Sequence, residues 1–286
     1  MPIEVRNLNY IYSKGTPFEK TALSDISFKI SDGEFVGLIG HTGSGKSTLI
    51  QHLNGLLKPD SGAVYVDGVD ISDKSVNMKK IRSKVGIVFQ YPEHQLFEET
   101  VYKDIAFGPK NLGLSDEEID RRVRHVAELV GLKEKYFEKS PFELSGGQKR
   151  RVAIAGVLAM NPEVLVLDEP AAGLDPVGRD EILFRIKELH EKEGITVLLI
   201  SHSMEDVARF AEKIIVMSDG ELKMFDTVEN IFSRSEELLE MGLNVPQACM
   251  VMQGLKLGGI DVNDKIYTVD KACEEILRYL REVGKC

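Results

Sequence analysis

The run Gly40-His41-Thr42-Gly43-Ser44-Gly45-Lys46-Ser47-Thr48 fits G-x-x-x-x-G-K-[ST], the spacing of a phosphate-binding loop. Glu34-Phe35-Val36-Gly37-Leu38-Ile39 precedes it, a short apolar run that reads as a buried strand. Thr48-Leu49-Ile50-Gln51-His52-Leu53 follows it and suits a helix ending near Gly55 and Pro59. Strand, loop and helix in that order is the context such a loop requires. Its glycines let successive backbone N–H groups turn toward phosphate oxygens, and the next helix aims its positive end at the same anion. Lys46 should then reach the β- and γ-phosphates of a nucleoside triphosphate, and the Ser47 hydroxyl should ligate Mg²⁺.

A chain of 286 residues can bury a full α/β core with room for a small second unit. The net charge of −10 gives no global basic field, which disfavours nucleic acid as a partner. Lys149-Arg150-Arg151 reads as a solvated helix start. The longest apolar runs, such as Val197-Leu198-Leu199-Ile200, fall far short of the roughly 20 residues that span a bilayer. No basic-then-apolar leader opens the sequence. Cys249, Cys273 and Cys286 lack metal-ligand spacing and read as reduced thiols of a cytosolic protein. Any membrane role must come through a partner.

Ile3 to Tyr12 alternates as an edge strand, and Ala22 to Ile30 resumes the pattern before a turn at Asp32-Gly33. Residues 62–68 and 85–89 read as further strands. From Glu93 to about Met160 charged and apolar residues alternate at helical spacing, as in Asp116 to Val130 and Gly146 to Leu158, so this block reads as a mostly helical insertion. Strands return at 164–167, 196–200 and 213–217, with helices at Gly178–Glu193 and Met204–Glu212 between them. That alternation predicts a mainly parallel sheet covered on both faces. Beyond about Arg234 no sheet pattern remains, and the chain ends in an amphipathic segment, Val269 to Val283.

Leu165-Val166-Leu167 terminates in Asp168-Glu169, and ligands sit at strand ends in open α/β sheets. Asp168 should hold the Mg²⁺ shell, and Glu169 should polarise the attacking water.

Leu144-Ser145-Gly146-Gly147-Gln148 separates one family from other phosphate-loop proteins. With this pentapeptide the sequence closely resembles the nucleotide-binding subunit of ATP-binding cassette (ABC) transporters. The resemblance covers residues 1–232 and implies the ABC form of the P-loop NTPase fold. That form has a mainly parallel core, an antiparallel β subdomain and an inserted helical subdomain at about 92–160. It also implies roles. Tyr12 resembles the aromatic that stacks on adenine, with Tyr10 as the competitor on the same strand. Gln90 resembles the glutamine that contacts Mg²⁺ and the attacking water. Ser145, Gly146, Gly147 and Gln148 resemble the signature that binds the γ-phosphate of ATP held by an opposite subunit. Asp175, in Ala172-Gly173-Leu174-Asp175, belongs to a loop that crosses between the two sites, and His202 resembles the switch histidine. Two glycines ahead of a helix present bare N–H groups to an anion. At the far end of an insertion they are useless to their own loop, so two subunits must face head to tail. A plain helix start capped by Ser145 is the alternative.

Further stretches narrow the resemblance: Tyr91-Pro92-Glu93-His94-Gln95-Leu96-Phe97, Asp104 to Pro109, His41 in the loop itself, and Gly15-Thr16-Pro17-Phe18-Glu19. Together they resemble the ATPases of energy-coupling factor (ECF) transporters, most of all the second of two paralogous ATPases. Such complexes import vitamins or, in relatives, cobalt or nickel ions. The resemblance implies a cytoplasmic-face peripheral subunit with three kinds of partner. One is a second ATPase, identical or paralogous. Another is a transmembrane coupling subunit seated in a groove around Gln90–Phe107. The third is a membrane subunit that binds the transported molecule. Residues 233–286 match a short extension that pairs the ATPases, or else a packed helical tail. Two other readings compete: an ATPase of an ordinary importer or exporter, and a non-transport ABC protein acting on DNA or ribosomes.

Overall fold

A computed structural model describes residues 2–284. Strands β3 (Phe35–Ile39), β7 (Val164–Asp168) and β8 (Thr196–Ile200) are nearly continuous apolar runs, as parallel strands covered on both faces must be. With β6 (Val85–Val88), β9 (Lys213–Ser218) and β10 (Glu221–Thr227) they form a six-stranded sheet in the order β10-β9-β3-β8-β7-β6. Only β10 runs antiparallel to its neighbour. A second, antiparallel sheet joins β1 (Ile3–Tyr12), β2 (Lys20–Ile30), β4 (Ser61–Val66) and β5 (Val69–Asp70) in the order β2-β1-β4-β5. The expected combination of parallel core and antiparallel subdomain is present.

Alternation along the parallel strands sorts the core. Val36, Leu38, Val166, Leu198, Ile200, Ile215 and Met217 face the antiparallel sheet and helix α1 (Lys46–Leu53). Phe35, Leu165, Leu167, Val197 and Leu199 face the other way, onto the helical side. There α3 (Val101–Leu112), α4 (Asp116–Leu129), α5 (Gly146–Leu158) and α6 (Pro176–Glu193) share one cluster with the sheet, so the insertion has no separate core. Thr100, Ser115, Ser145 and Asp175 each accept a backbone N–H as N-caps, which fixes where these four helices start.

Some elements have no clear sequence signal. In β10 only Met224 is fully buried, and in α2 (Met78–Lys84) only Ile81 is. Residues 204–210 form α7, which ends two residues before the expected Glu212. After α8 (Val228–Phe232) the tail forms α9 (Ser235–Glu240), α10 (Gln247–Leu257) and α11 (Val269–Glu282). Leu238, Leu243, Val245 and Cys249 bury against Ile231, Phe232, Met204 and Val207, so the first half of the tail packs into the main body. Cys249 and Cys273 are free thiols, and Cys286 lies outside the described residues. Among the described residues no helix is long and apolar enough to cross a membrane.

Candidate functional site

Four adjacent parallel strands deliver the site. The phosphate loop follows β3, Gln90 follows β6, Glu169 follows β7 and His202 follows β8. Their carboxyl ends open on one cleft of about 390 Å³. Tyr12, Thr42, Gly43, Gly45, Lys46, Ser47, Thr48, Gln90, Asp168, Glu169 and His202 all line it.

The loop's shape is dictated by its glycines. A Cβ on Gly40 would collide with the Met217 carbonyl, and Gly45 stands at φ +98°, a conformation that favours glycine. Gly45 is also the N-cap of α1 and offers no side chain to the first-turn N–H groups, which stay available to an anion. Lys46, almost fully buried, donates to the carbonyls of Gly40 at 2.5 Å and His41 at 3.0 Å. The lysine therefore spans the mouth of its own loop, where a phosphate would compete for it.

Two carboxylates lie opposite. Burial raises Asp168 above the ordinary aspartate range against the pull of Lys46. Burial, with the neighbouring Asp168 charge, pushes Glu169 up to about 7. The Oε1 atom of Glu169 is buried without a hydrogen-bond partner among the described residues. Glu169 also holds φ +52°, a left-handed backbone unusual for a residue with a Cβ. His202 is half-exposed at the cleft, its pKa lowered by burial and by Lys46.

Tyr12 rather than Tyr10 reaches the cleft, and its hydroxyl lies 3.2 Å from Thr48 Oγ1. Tyr10 packs edge-on against Tyr12 and buried His52, with ring centres at 4.9 and 4.7 Å. Other expected site residues lie off the cleft. Gly40 and Ser44 are buried in the loop's base. The His41 ring turns toward Ser218 Oγ at 3.3 Å. Asp175 caps α6 by accepting the Gly178 N–H at 2.7 Å. Ser145 and Gln148 form a reciprocal capping box at the start of α5, and none of residues 145–148 lines the cleft.

A family profile described as ABC transporter matches residues 23–172. The chain belongs to the ABC transporter family. Within it, the energy-coupling factor transporter ATP-binding protein EcfA2 of Caldanaerobacter subterraneus subsp. tengcongensis is 58% identical over 281 residues, 98% of each chain. The protein of the same description from Clostridioides difficile is 57% identical over 288 residues and all of both chains. Among solved structures, cbiO1 from Clostridium perfringens, described as part of the ABC transporter complex cbiONQ, matches with TM-score 0.74 and 39% identity. That match covers 88% of this chain and 98% of that one. The ATP-binding cassette MJ0796, in a dimeric post-hydrolysis state bound to ADP and Pi, matches with TM-score 0.71 and 34% identity over 79% of this chain and 98% of its own.

As an ABC ATPase, this chain shows features that sequence reading missed. Lys20 and Ala22 of β2 line the cleft, although the strand pattern gives no sign that its first residues approach the nucleotide loop. The ECF-type stretch at 91–97 supplies Glu93, which Arg150 grips from α5. Taken alone, Lys149-Arg150-Arg151 suggests a solvated patch, yet Arg150 is only 2% exposed.

The donor set fits a Mg²⁺-nucleotide. No group of three or more His, Cys, Asp or Glu that could hold a metal unaided exists among the described residues. Ser47, Gln90 and Asp168 offer hard oxygen donors beside the orphaned Glu169 oxygen. Mg²⁺ is commonly held by one or two protein oxygens plus phosphates, which matches that sparse set.

Proposed function

We propose that this chain is one of two ATPases that close head to tail on ATP at the cytoplasmic face of a membrane, driving an ECF importer. It is an ABC ATPase of the energy-coupling factor class, and ATP hydrolysis is coupled to uptake.

One observation carries the two-subunit reading. Gly146 and Gly147 have ordinary negative φ, and a Cβ on Gly146 would meet nothing within 4 Å. The chain's own fold would accept a side chain there, in contrast to Gly40 and Gly45. Bare backbone at an exposed helix start is best explained by an approach from outside, where the N–H groups face an anion. The dimeric MJ0796 structure bound to ADP and Pi is consistent with this arrangement.

In this reading Tyr12 stacks on adenine, and the loop N–H groups and Thr48 hold the phosphates. Lys46 moves from its carbonyls onto the β- and γ-phosphates. Ser47, Gln90 and Asp168 would hold Mg²⁺, which when bound supplies charge neutralisation at the phosphates. Glu169, tuned close to neutrality, takes a proton from the water that attacks the γ-phosphorus. His202 donates to the γ-phosphate, and ADP leaves on the opposite side. Ser145, Gly146, Gly147 and Gln148 of the second ATPase cover the γ-phosphate, with Asp175 in the loop that crosses between sites.

The groove bounded by Phe89, Phe97, Asp104, Phe107 and Met160 suits a helix of the coupling subunit. Phe97 and Phe107 stack edge to face there and remain exposed. On α10, Met250 and Val251 are exposed by 59% and 52%, an apolar face that suits pairing of the two tails. A separate membrane subunit selects the transported molecule, with vitamins as the proposed cargo.

The test is co-purification from native membrane, followed by reconstitution of the complex into vesicles. ATP-dependent uptake without a soluble solute-binding protein supports the reading. A requirement for such a protein indicates an ordinary importer. Capture of ribosomes or DNA with no membrane subunit overturns it.

A further inference from the structure

Arg150 lies on the second turn of α5, buried to 2% exposure, and its guanidinium binds three residues in two other segments at once. Its Nε and Nη2 donate to the two carboxylate oxygens of Glu93, at 3.1 and 2.9 Å. Its Nη1 donates to the carbonyls of Pro170 at 3.2 Å and Ala172 at 2.5 Å. Glu93 follows Gln90 by three residues, Pro170 adjoins Glu169, and Ala172 opens the loop leading to Asp175. One planar fork thus ties the helix begun by Ser145 to the segments beyond both Gln90 and Glu169.

The two segments it holds join the sheet through unusual backbone. Tyr91, just after Gln90, has φ +54°, and Glu169 has φ +52°. Such left-handed conformations in residues with a Cβ persist only where surroundings impose them. Arg150 binds two residues beyond the first, at Glu93, and one beyond the second, at Pro170. A lysine could neutralise Glu93 but could not present the same fixed fork to two further carbonyls.

We propose that Arg150 is a positioning residue that makes the stance of Glu169 depend on the position of the helical insertion. When α5 moves with its glycines toward a nucleotide, Pro170 and Ala172 move with it and Glu169 is set for its water. An α5 out of place leaves Glu169 out of place, so hydrolysis is restrained until the subunits close. This rests on the proposed base and the head-to-tail dimer.

The experiment uses the assembled complex with Arg150→Lys and, separately, Arg150→Met combined with Glu93→Leu. The double variant replaces a buried ion pair with apolar groups of similar size, a change that often preserves stability. Misplacing a catalytic group by about 1 Å can lower rates 10²-fold, so kcat should fall by at least about tenfold in both. Affinity for ATP, measured by calorimetry, should stay within about twofold, since no atom of Arg150 lines the nucleotide cleft. Full turnover in either variant overturns the proposal, and parallel loss of ATP affinity and turnover reduces Arg150 to a structural ion pair. Glu169→Gln serves as the control. Its failure to form an ATP-dependent dimer would instead count against the head-to-tail reading.

Discussion

His202 Nε2 stands 3.5 Å from Oε1 of Glu169, the buried carboxylate oxygen that lacks a hydrogen-bond partner among the described residues. The two side chains come from the ends of adjacent strands, β8 and β7, and both face the cleft lined by Lys46. Their pKa values move in opposite directions, His202 down and Glu169 up to about 7. Such divergence is how neighbouring groups come to serve as donor and base.

Glu169→Gln removes the base but keeps the shape. Turnover of the assembled complex should fall about 10²–10⁴-fold, the usual contribution of a general base, with ATP affinity retained. Sedimentation with ATP should show a persistent dimer of the ATPases. Unimpaired hydrolysis excludes Glu169 from this role.

Gly146→Ala separates stability from function. Alanine is better than glycine in a helix by up to about 0.5–1 kcal/mol, and nothing lies within 4 Å of the new methyl. Thermal unfolding of the isolated chain should be unchanged or shifted upward. ATPase activity should nevertheless drop by about tenfold or more, as the methyl obstructs a phosphate brought by the partner. Normal activity with normal stability would remove the main support for the two-subunit site.

The pH dependence of stability has an identifiable contributor in His52. This histidine is buried between Thr48, whose carbonyl lies 2.8 Å from Nδ1, and the ring of Tyr10. Burial lowers its pKa, and the hydrogen bond to the Thr48 carbonyl, with a smaller pull from the charge of Asp60, only partly offsets this. The unfolded chain takes up this proton near pH 6.5, whereas the folded chain resists it until lower pH. Stability should therefore be full above about pH 6.5 and decline as pH falls toward the folded value. In His52→Gln the loss of melting temperature between pH 7.5 and 5.5 should be smaller, and an equal loss in both proteins refutes the assignment.

The tail needs a gentler probe than truncation, because Leu238, Leu243 and Cys249 belong to a core shared with Phe232. Met250→Asp with Val251→Asp changes only exposed positions of α10. If this face pairs two subunits, each lost side chain should weaken pairing by about 1–2 kcal/mol, roughly tenfold, with thermal stability intact. An unchanged dissociation constant by sedimentation assigns the helix to packing alone.

What the sequence made legible follows from how each signal arises. The phosphate loop, the Asp168-Glu169 strand end and the ABC signature are contiguous, so their local chemistry can be read directly. The parallel strands are equally plain, because burial on both faces leaves unbroken apolar runs such as Val164 to Leu167. Strand β10 is not plain, because an edge strand with one fully buried residue leaves almost no pattern. The resemblance favours Tyr12 over Tyr10, but the two alternate on one strand, and only the cleft, which Tyr12 alone of the pair lines, supplies a physical ground for that choice. Arg150 is the sharpest case. Its partners Glu93, Pro170 and Ala172 are distant in sequence, and Lys149-Arg150-Arg151 read alone looks like surface.

The most direct measurement is a structure of the Glu169→Gln complex trapped with ATP. The account predicts the Ser145 hydroxyl and the Gly146 and Gly147 N–H groups of one ATPase within hydrogen-bonding distance of the γ-phosphate bound by Lys46 of the other. A closed assembly in which those glycines stand remote from every phosphate contradicts it.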